Sequence, residues 1–284
     1  MAGKQVTELD ALPSFTDASL LPVHNGAGLK KGLLSQLASY LGAKFSSPNL
    51  LINPEFKINQ RGLSSYSAGA SRTYTVDRWG GTQFTATVDS NAITIQANKS
   101  GVALFSQRLE KATEAGFTVS VHVVSVTGTA KLKTTGIEGT LKAGWNYFTS
   151  ASSTSEITLE IAQGGSLTID KIKLEKGSVA TSFVAPNLAE EFMKCQRYYY
   201  KFKVLKYGII PPEKAWVDEI IAKPFRTNPT IKIDKTFSIS VSNTVNKIEK
   251  IGDMYVVTVR ITSNGNAQSQ YGFEALVSID AEIY

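Results

Sequence analysis

The feature that most constrains this chain is a succession of short runs in which apolar and polar residues alternate with period two. Phe84-Thr85-Ala86-Thr87-Val88, Ala92-Ile93-Thr94-Ile95-Gln96, Phe117 to Val124, Glu156 to Ile161 and Leu167 to Leu174 are of this kind. Successive side chains of a strand point to opposite faces, so each run reads as a half-buried strand. Gly-, Ser- and Asn-bearing turns lie between them. Many short strands at regular spacing specify an antiparallel sandwich or barrel. The pattern returns in Thr230-Ile231-Lys232-Ile233, Phe237 to Val241, Tyr255 to Ile261 and Phe273 to Ile279. No repeat of fixed period links the two β-rich blocks.

Helical spacing is confined to two places. Leu33, Leu34, Leu37, Tyr40 and Leu41 share one helix face, and Gly42 is placed to close that helix, which the pattern predicts over 29–41. Ala11-Leu12-Pro13-Ser14 and Asn25-Gly26-Ala27-Gly28 read as turns. A second helix is predicted over 187–199, with Asn187 as N-cap and Glu190 three residues on, and with Leu188, Phe192, Cys195 and Tyr199 on one face. Ser46-Ser47-Pro48 marks a boundary. The expected organisation is an attachment or trimerisation segment at 1–47, an antiparallel jelly-roll sandwich at 48–186, and a linking helix plus C-terminal β-sandwich domain at 187–284. The fold class is mainly β.

Composition narrows the function classes. The 284 residues are 42% hydrophobic and 19% charged, ordinary for a chain with real cores. Mean hydropathy is −0.07, and no run approaches the ~20 apolar residues of a membrane span. No basic stretch followed by an apolar region opens the chain, so no secretory signal is expected, and the product starts in the cytoplasm. The net charge of +6 is spread out. Its densest group, Lys194, Arg197, Lys201, Lys203 and Lys206, follows Glu190 and Glu191, whereas nucleic-acid binding calls for a concentrated stripe. The one cysteine, Cys195, excludes an intrachain disulfide and reads as a small buried thiol.

Catalytic signatures are missing. There is no His-Glu-x-x-His, Gly-x-Ser-x-Gly or phosphate-binding loop. Of the two histidines, His24 falls in a turn and His122 in an apolar strand, where a structural role is expected. A carboxylate pair for glycoside hydrolysis is available to any fold, so a polysaccharide depolymerase stays an alternative. Binding is the better-supported class. Sugars stack on exposed aromatic rings, and Tyr66, Tyr74 and Trp216 are the candidate platforms, each near a turn. Tyr147 also lies near a turn. Trp79 and Trp145 read as core. Asp77-Arg78 reads as a structural ion pair, with Arg61 in a similar role. Glu55 and Asp170, near the two ends of the sandwich, are candidate ligands for a structural calcium, with plain surface carboxylates as the competing reading. No cofactor is required.

Several strings together resemble tail-fibre and receptor-binding proteins of tailed bacteriophages and prophages. Asn49-Leu50-Leu51-Ile52-Asn53-Pro54-Glu55-Phe56-Lys57-Ile58-Asn59-Gln60-Arg61-Gly62, followed by Tyr74-Thr75-Val76-Asp77-Arg78-Trp79, is similar to their opening. Ile172-Lys173-Leu174-Glu175-Lys176-Gly177-Ser178-Val179-Ala180-Thr181-Ser182-Phe183 and Cys195-Gln196-Arg197-Tyr198-Tyr199 resemble later motifs of the group, and 6–41 resembles a phage structural leader. The resemblance implies a carbohydrate-binding-module-like jelly roll and a homotrimer in the virion tail. It also implies an N-terminal contact with a tail or baseplate protein, adsorption to a bacterial surface polysaccharide, and a calcium bridging the first and last strands. Nucleic-acid binding and membrane insertion are not expected. A tail or collar spacer that binds no glycan is the other alternative.

Overall fold

A computed structural model describes residues 20–24, 29–33, 37, 46–89, 92–209, 216–239, 241–263 and 270–282. It opens on an antiparallel hairpin, β1 (Leu20–His24) with β2 (Leu29–Leu33), in register Leu20↔Leu33 to His24↔Leu29. This corrects the helix expected over 29–41, whose first five residues are a strand. Of the residues that set the helical spacing, only Leu33 falls in this strand. Leu37 is helical and exposed; the other residues of 34–41, and the turn at 11–14, lie outside the described residues.

The central domain is a two-sheet antiparallel sandwich. In chain order its strands are β3 (Ser65–Ala68), β4 (Thr73–Tyr74), β5 (Gly80–Thr82), β6 (Phe84–Val88), β7 (Ile93–Ala97), β8 (Ala103–Arg108), β9 (Phe117–Thr127), β10 (Ala130–Thr134), β11 (Ile137–Thr140), β12 (Gly144–Ser150), β13 (Glu156–Ile161) and β14 (Ser166–Lys176). One sheet runs β11-β10-β13-β8-β5-β4 and the other β12-β9-β14-β7-β6-β3, so the chain crosses repeatedly between sheets, as in a jelly roll. The period-two residues fill the gap: Ile157, Leu159 and Ile161 from one side, Val119, Val121, Leu167 and Ile169 from the other, all without solvent contact. An aromatic group closes one end, with Trp79 fully buried, stacked on Phe105 at 5.6 Å and tilted against Phe56 at 5.1 Å.

Alternation breaks once in β14. The apolar positions are Leu167 and Ile169, then Ile172 and Leu174, a slip of phase across Asp170 and Lys171. The ladder to β9 shifts at the same place: Ile169 pairs Val123 and Lys171 pairs His122, leaving Asp170 as an extra residue. Such a bulge re-aims side chains. Here the residues on either side of the pair, Ile169 and Ile172, are both core, and Asp170 and Lys171 are both partly exposed.

Helix α1 (Leu188–Cys195) follows, capped by Asn187, whose side chain accepts from the Ala189 and Glu190 amides. It is shorter than expected because Tyr199 already starts a strand. Its buried residues are Glu191 and Cys195; Leu188 and Phe192, assigned to the packed face by spacing, are exposed. The C-terminal domain packs two three-stranded antiparallel sheets. These comprise β15 (Tyr199–Ile209), β16 (Trp216–Lys223), β17 (Thr230–Ile239), β18 (Val241–Ile251), β19 (Met254–Ser263) and β20 (Gln270–Asp280), ordered β15-β20-β17 and β16-β19-β18. Val204, Val257, Val259, Ile261, Phe273 and Val277 make a core separate from that of the sandwich. No helix among the described residues is long and apolar enough to cross a membrane.

Candidate functional site

Edge strand β12 carries the most exposed aromatic surface of the sandwich. Its side chains alternate, with Trp145, Tyr147 and Thr149 outward. Phe148 faces the other way and packs on the core, across Gly139, where even a Cβ would collide with its ring. Anchored this way, β12 must hold Trp145 and Tyr147 outside. They are 39% and 57% exposed. Their rings lie within 10° of parallel, with centroids 6.1 Å apart. Trp145 was expected in the core and is not there; an edge strand offers its outer face no covering layer.

The neighbouring strands extend this surface. Register places Trp145 opposite His122 on β9, and His122 opposite Lys171 on β14, so the three form one row across three strands. The His122 ring sits 5.0 Å from Trp145. Asp170, turned outward by the bulge, holds His122 Nδ1 at 2.5 Å and Lys171 Nζ at 2.7 Å on its two oxygens. On the other side Phe183 lies 6.2 Å from Trp145. Trp145, Tyr147, Lys171 and residues 180–183 together bound a cleft of about 540 Å³.

The segment carrying Phe183 is fastened from below. Gly177 adopts φ +95°, a conformation that favours glycine, and turns the chain back over the sheet after β14. The Thr181 amide donates to Glu175 Oε1 at 2.9 Å, and its hydroxyl donates to Glu175 Oε2. Lys173 Nζ donates to Thr181 Oγ1 at 2.6 Å and to the Ser182 carbonyl at 3.0 Å, and lies 3.1 Å from Glu175. Both charged side chains are buried. The Leu174-Glu175 to Thr181-Ser182-Phe183 motif is thus a strap and its fastening.

The other motif residues meet at a joint between the two domains. Asn49 ties the opening segment to β14, donating to the Ile172 carbonyl at 3.0 Å and accepting from the Leu174 amide at 3.1 Å. Asn53 accepts from the Ile58 amide and donates to the Asp77 carbonyl, while its own amide donates to Glu191 of α1 at 2.6 Å. Arg78 pairs with Glu282 at 2.5 Å and lies 3.6 Å over the Tyr198 ring. Arg61 lies 3.9 Å over Tyr199 and within 3.6 Å of Asp77, Asp280 and Glu282. The Gln60 side chain donates to the Tyr199 carbonyl at 2.7 Å. The pair expected between Asp77 and Arg78 is therefore replaced by Arg61–Asp77 and Arg78–Glu282. Cys195 is buried beside this network, and desolvation pushes its thiol well above the ordinary range.

Burial also pushes Asp77 up to about 7, against the Gln60 amide and Arg61, which favour its charged form. With Asp77 neutral, two arginines face two carboxylates, Asp280 and Glu282. A carboxyl whose folded-state pKa is raised binds a proton that the unfolded chain has released. Its stabilisation is complete below the ordinary carboxylate pKa and is lost as pH rises through about 7. Melting temperature is therefore expected to fall between pH 5 and pH 8, and Asp77→Asn, which mimics the neutral acid, to flatten that fall. An unchanged slope in the variant would place the titrating group elsewhere.

The residues singled out as sugar platforms lie elsewhere. Tyr66 and Tyr74 are each only 5% exposed. Tyr66 points inward from β3 and its hydroxyl donates to Asn59 at 2.5 Å; Tyr74 is flanked by Arg61 and Arg72. Neither offers a ring face. Trp216 begins β16, with its side chain outside the described residues. Glu55 carries the Lys57 ammonium at 2.8 Å, as Asp170 carries Lys171. Among the described residues no group of three or more His, Cys, Asp or Glu side chains is placed to hold a metal ion. Two carboxylates already paired with lysines supply few of the six to eight oxygens that calcium takes.

No family model and no curated protein matches this chain. Among solved structures it is similar to family 29 carbohydrate-binding modules. One, at 12% identity and TM-score 0.30, is covered over 97% of its length by 44% of this chain. Another, from Piromyces equi, is covered over 93% by 40% of this chain at 8% identity and TM-score 0.25. At these scores the likeness transfers no residue and no ligand. What the site can do follows from its own geometry: hold a ring against aromatic faces beside an ammonium.

Proposed function

We propose that this chain binds a glycan without chemical turnover, and that the Trp145–Tyr147 face is where the sugar rests. One observation carries the reading: two large, near-parallel aromatic rings left in solvent at the wall of a cleft. Burying such a side chain is worth roughly 1.5–3 kcal/mol, so two adjacent rings held out by an anchored strand forgo substantial stability. Pyranose C–H faces complement such rings.

The finer reading is a trimeric receptor-binding protein of a phage tail, which adsorbs to a bacterial surface polysaccharide. The motif resemblance supports it. So does the convergence of the opening, Asp77-Arg78-Trp79 and Cys195 to Tyr199 strings on one interdomain joint, which suits a fibre whose modules must not swivel. Leu205, Tyr207 and Ile209, all exposed at alternate positions of edge strand β15, suit contact between copies. Weak sites repeated three-fold gain avidity when they engage together.

The test is retention of purified protein on host envelope polysaccharide. Replacing both Trp145 and Tyr147 with alanine is expected to weaken binding by about 10- to 100-fold, equivalent to ~1.4–2.8 kcal/mol, with the fold intact. Undiminished binding moves the site elsewhere, and retention of the wild type on no fraction favours a spacer. Native mass of the same preparation, expected at three times 30.7 kDa, tests the trimer.

A further inference from the structure

The walls of the aromatic cleft carry one ionic group. Trp145, Tyr147, Ala180, Thr181, Ser182 and Phe183 supply rings, methyls, hydroxyls and backbone, and Lys171 supplies an ammonium; no carboxylate is among the lining residues. Of the nearby acids, Glu175 is buried and taken up on both oxygens by Thr181, with Lys173 beside it, and Asp170 is engaged on both oxygens, by His122 and by Lys171. An acid held in this way does not face a ligand as a free acceptor. It orients the lysine instead. An ammonium has three donors, and one is used on Asp170. The others remain for a ligand on the row that runs from Lys171 through His122 to Trp145.

We infer that the cleft selects a sugar bearing an anionic substituent, a carboxylate as in a uronic acid, with Lys171 reading the charge while Trp145 and Tyr147 hold the ring. The inference rests on the glycan-binding reading and adds the class of sugar. The bulge is the structural device behind it. In regular alternation one of Asp170 and Lys171 would point into the core. The extra residue turns both out, giving a lysine beside the aromatic pair and an acid to fix it.

Calorimetry on the full chain with matched oligosaccharides tests this. The probes are oligomers of galacturonate, mannuronate and the glucuronate-containing hyaluronan repeat, each as the free acid and as the uncharged methyl ester. Short soluble oligomers keep avidity out of the comparison. The free acid of at least one pair is expected to bind roughly fivefold tighter than its ester at low salt, the scale of one partly exposed ion pair, with the margin shrinking as sodium chloride rises. Lys171→Met should remove the preference, read as the ratio of acid to ester affinity within each protein, and Lys171→Arg should restore much of it. Equal binding of acid and ester by the wild type, or a preference that survives Lys171→Met, overturns the inference and leaves the platform standing. Binding of an ester alone overturns it too. If no member of the panel binds while host envelope polysaccharide is still retained through Trp145 and Tyr147, this inference falls and the glycan reading stands.

Discussion

Replacing Glu282 with alanine is expected to destabilise the protein by about 3–5 kcal/mol, the cost of leaving one partner of a buried ion pair alone. Glu282 and Arg78 are both buried, joined at 2.5 Å across 204 positions of sequence. Glu282 Oε1 also accepts from the Arg78 amide at 3.2 Å and lies 3.6 Å from Arg61. Removing the carboxylate strands Arg78 against Tyr198 and takes one anion from Arg61. The joint then loses its buried ion pair, and Gln60–Tyr199 and Arg61–Asp280 are left to couple the sandwich to the C-terminal domain. Thermal unfolding is expected to split into two transitions, the C-terminal domain melting first, because the sandwich keeps the larger core. An apolar pair, Arg78→Met with Glu282→Leu, should recover much of the loss, since a buried pair exchanged for apolar residues of similar size is often neutral. A single unshifted transition in Glu282→Ala would show that this pair neither stabilises the joint nor carries the coupling of the domains.

That pairing also marks a limit of sequence reading. Period-two patterning placed Phe84–Val88 and Glu156–Ile161 as strands, and the Asn187 cap placed the start of α1, because those signals are local and the packing agrees with them. Trp79 was legible as core for the same reason. A partner 204 positions away leaves no local trace, so Arg78 was given to its neighbour Asp77. Tyr66 reads as a platform near a turn, yet it alternates inward within β3. The aromatic face was missed for a different reason. Burial of Trp145 depends on β12 being an edge strand and on Phe148 taking the inward place, neither of which the residues around Gly144 reveal. One signal was present and passed over. The apolar positions of β14 change from odd to even between Ile169 and Ile172, which announces a bulge and two consecutive outward residues, Asp170 and Lys171. The leader shows a further limit, where residues 29–33, placed at the start of a helix, pair with 20–24 as a strand.

Glu175→Ala is expected to unfasten the strap, with a loss of about 3–5 kcal/mol, since it leaves the Lys173 ammonium buried and unpaired. Two of Thr181's hydrogen bonds go with it, those from its amide and its hydroxyl. The consequence for binding follows from position. Thr181 sits two residues before Phe183, which lines the cleft 6.2 Å from Trp145. Once residues 178–183 lift, the aromatic pair stays on its anchored strand but the cleft opens on one side. Glycan affinity should fall less than when Trp145 and Tyr147 are both removed, and limited proteolysis should cut within the strap before any other described part of the sandwich. Glu175→Gln keeps one oxygen that can still accept from the Thr181 amide, but its NH2 replaces the oxygen that takes the Thr181 hydroxyl, and the charge is given up. It is therefore expected to keep more strap protection than stability. The variant Lys173→Met with Glu175→Leu separates the two effects: it removes the buried charges together, so stability should largely return while the strap stays loose. If the strap in Glu175→Ala resists protease as the wild type does, Phe183 is held by its contact with Trp145 and not by the pair beneath it.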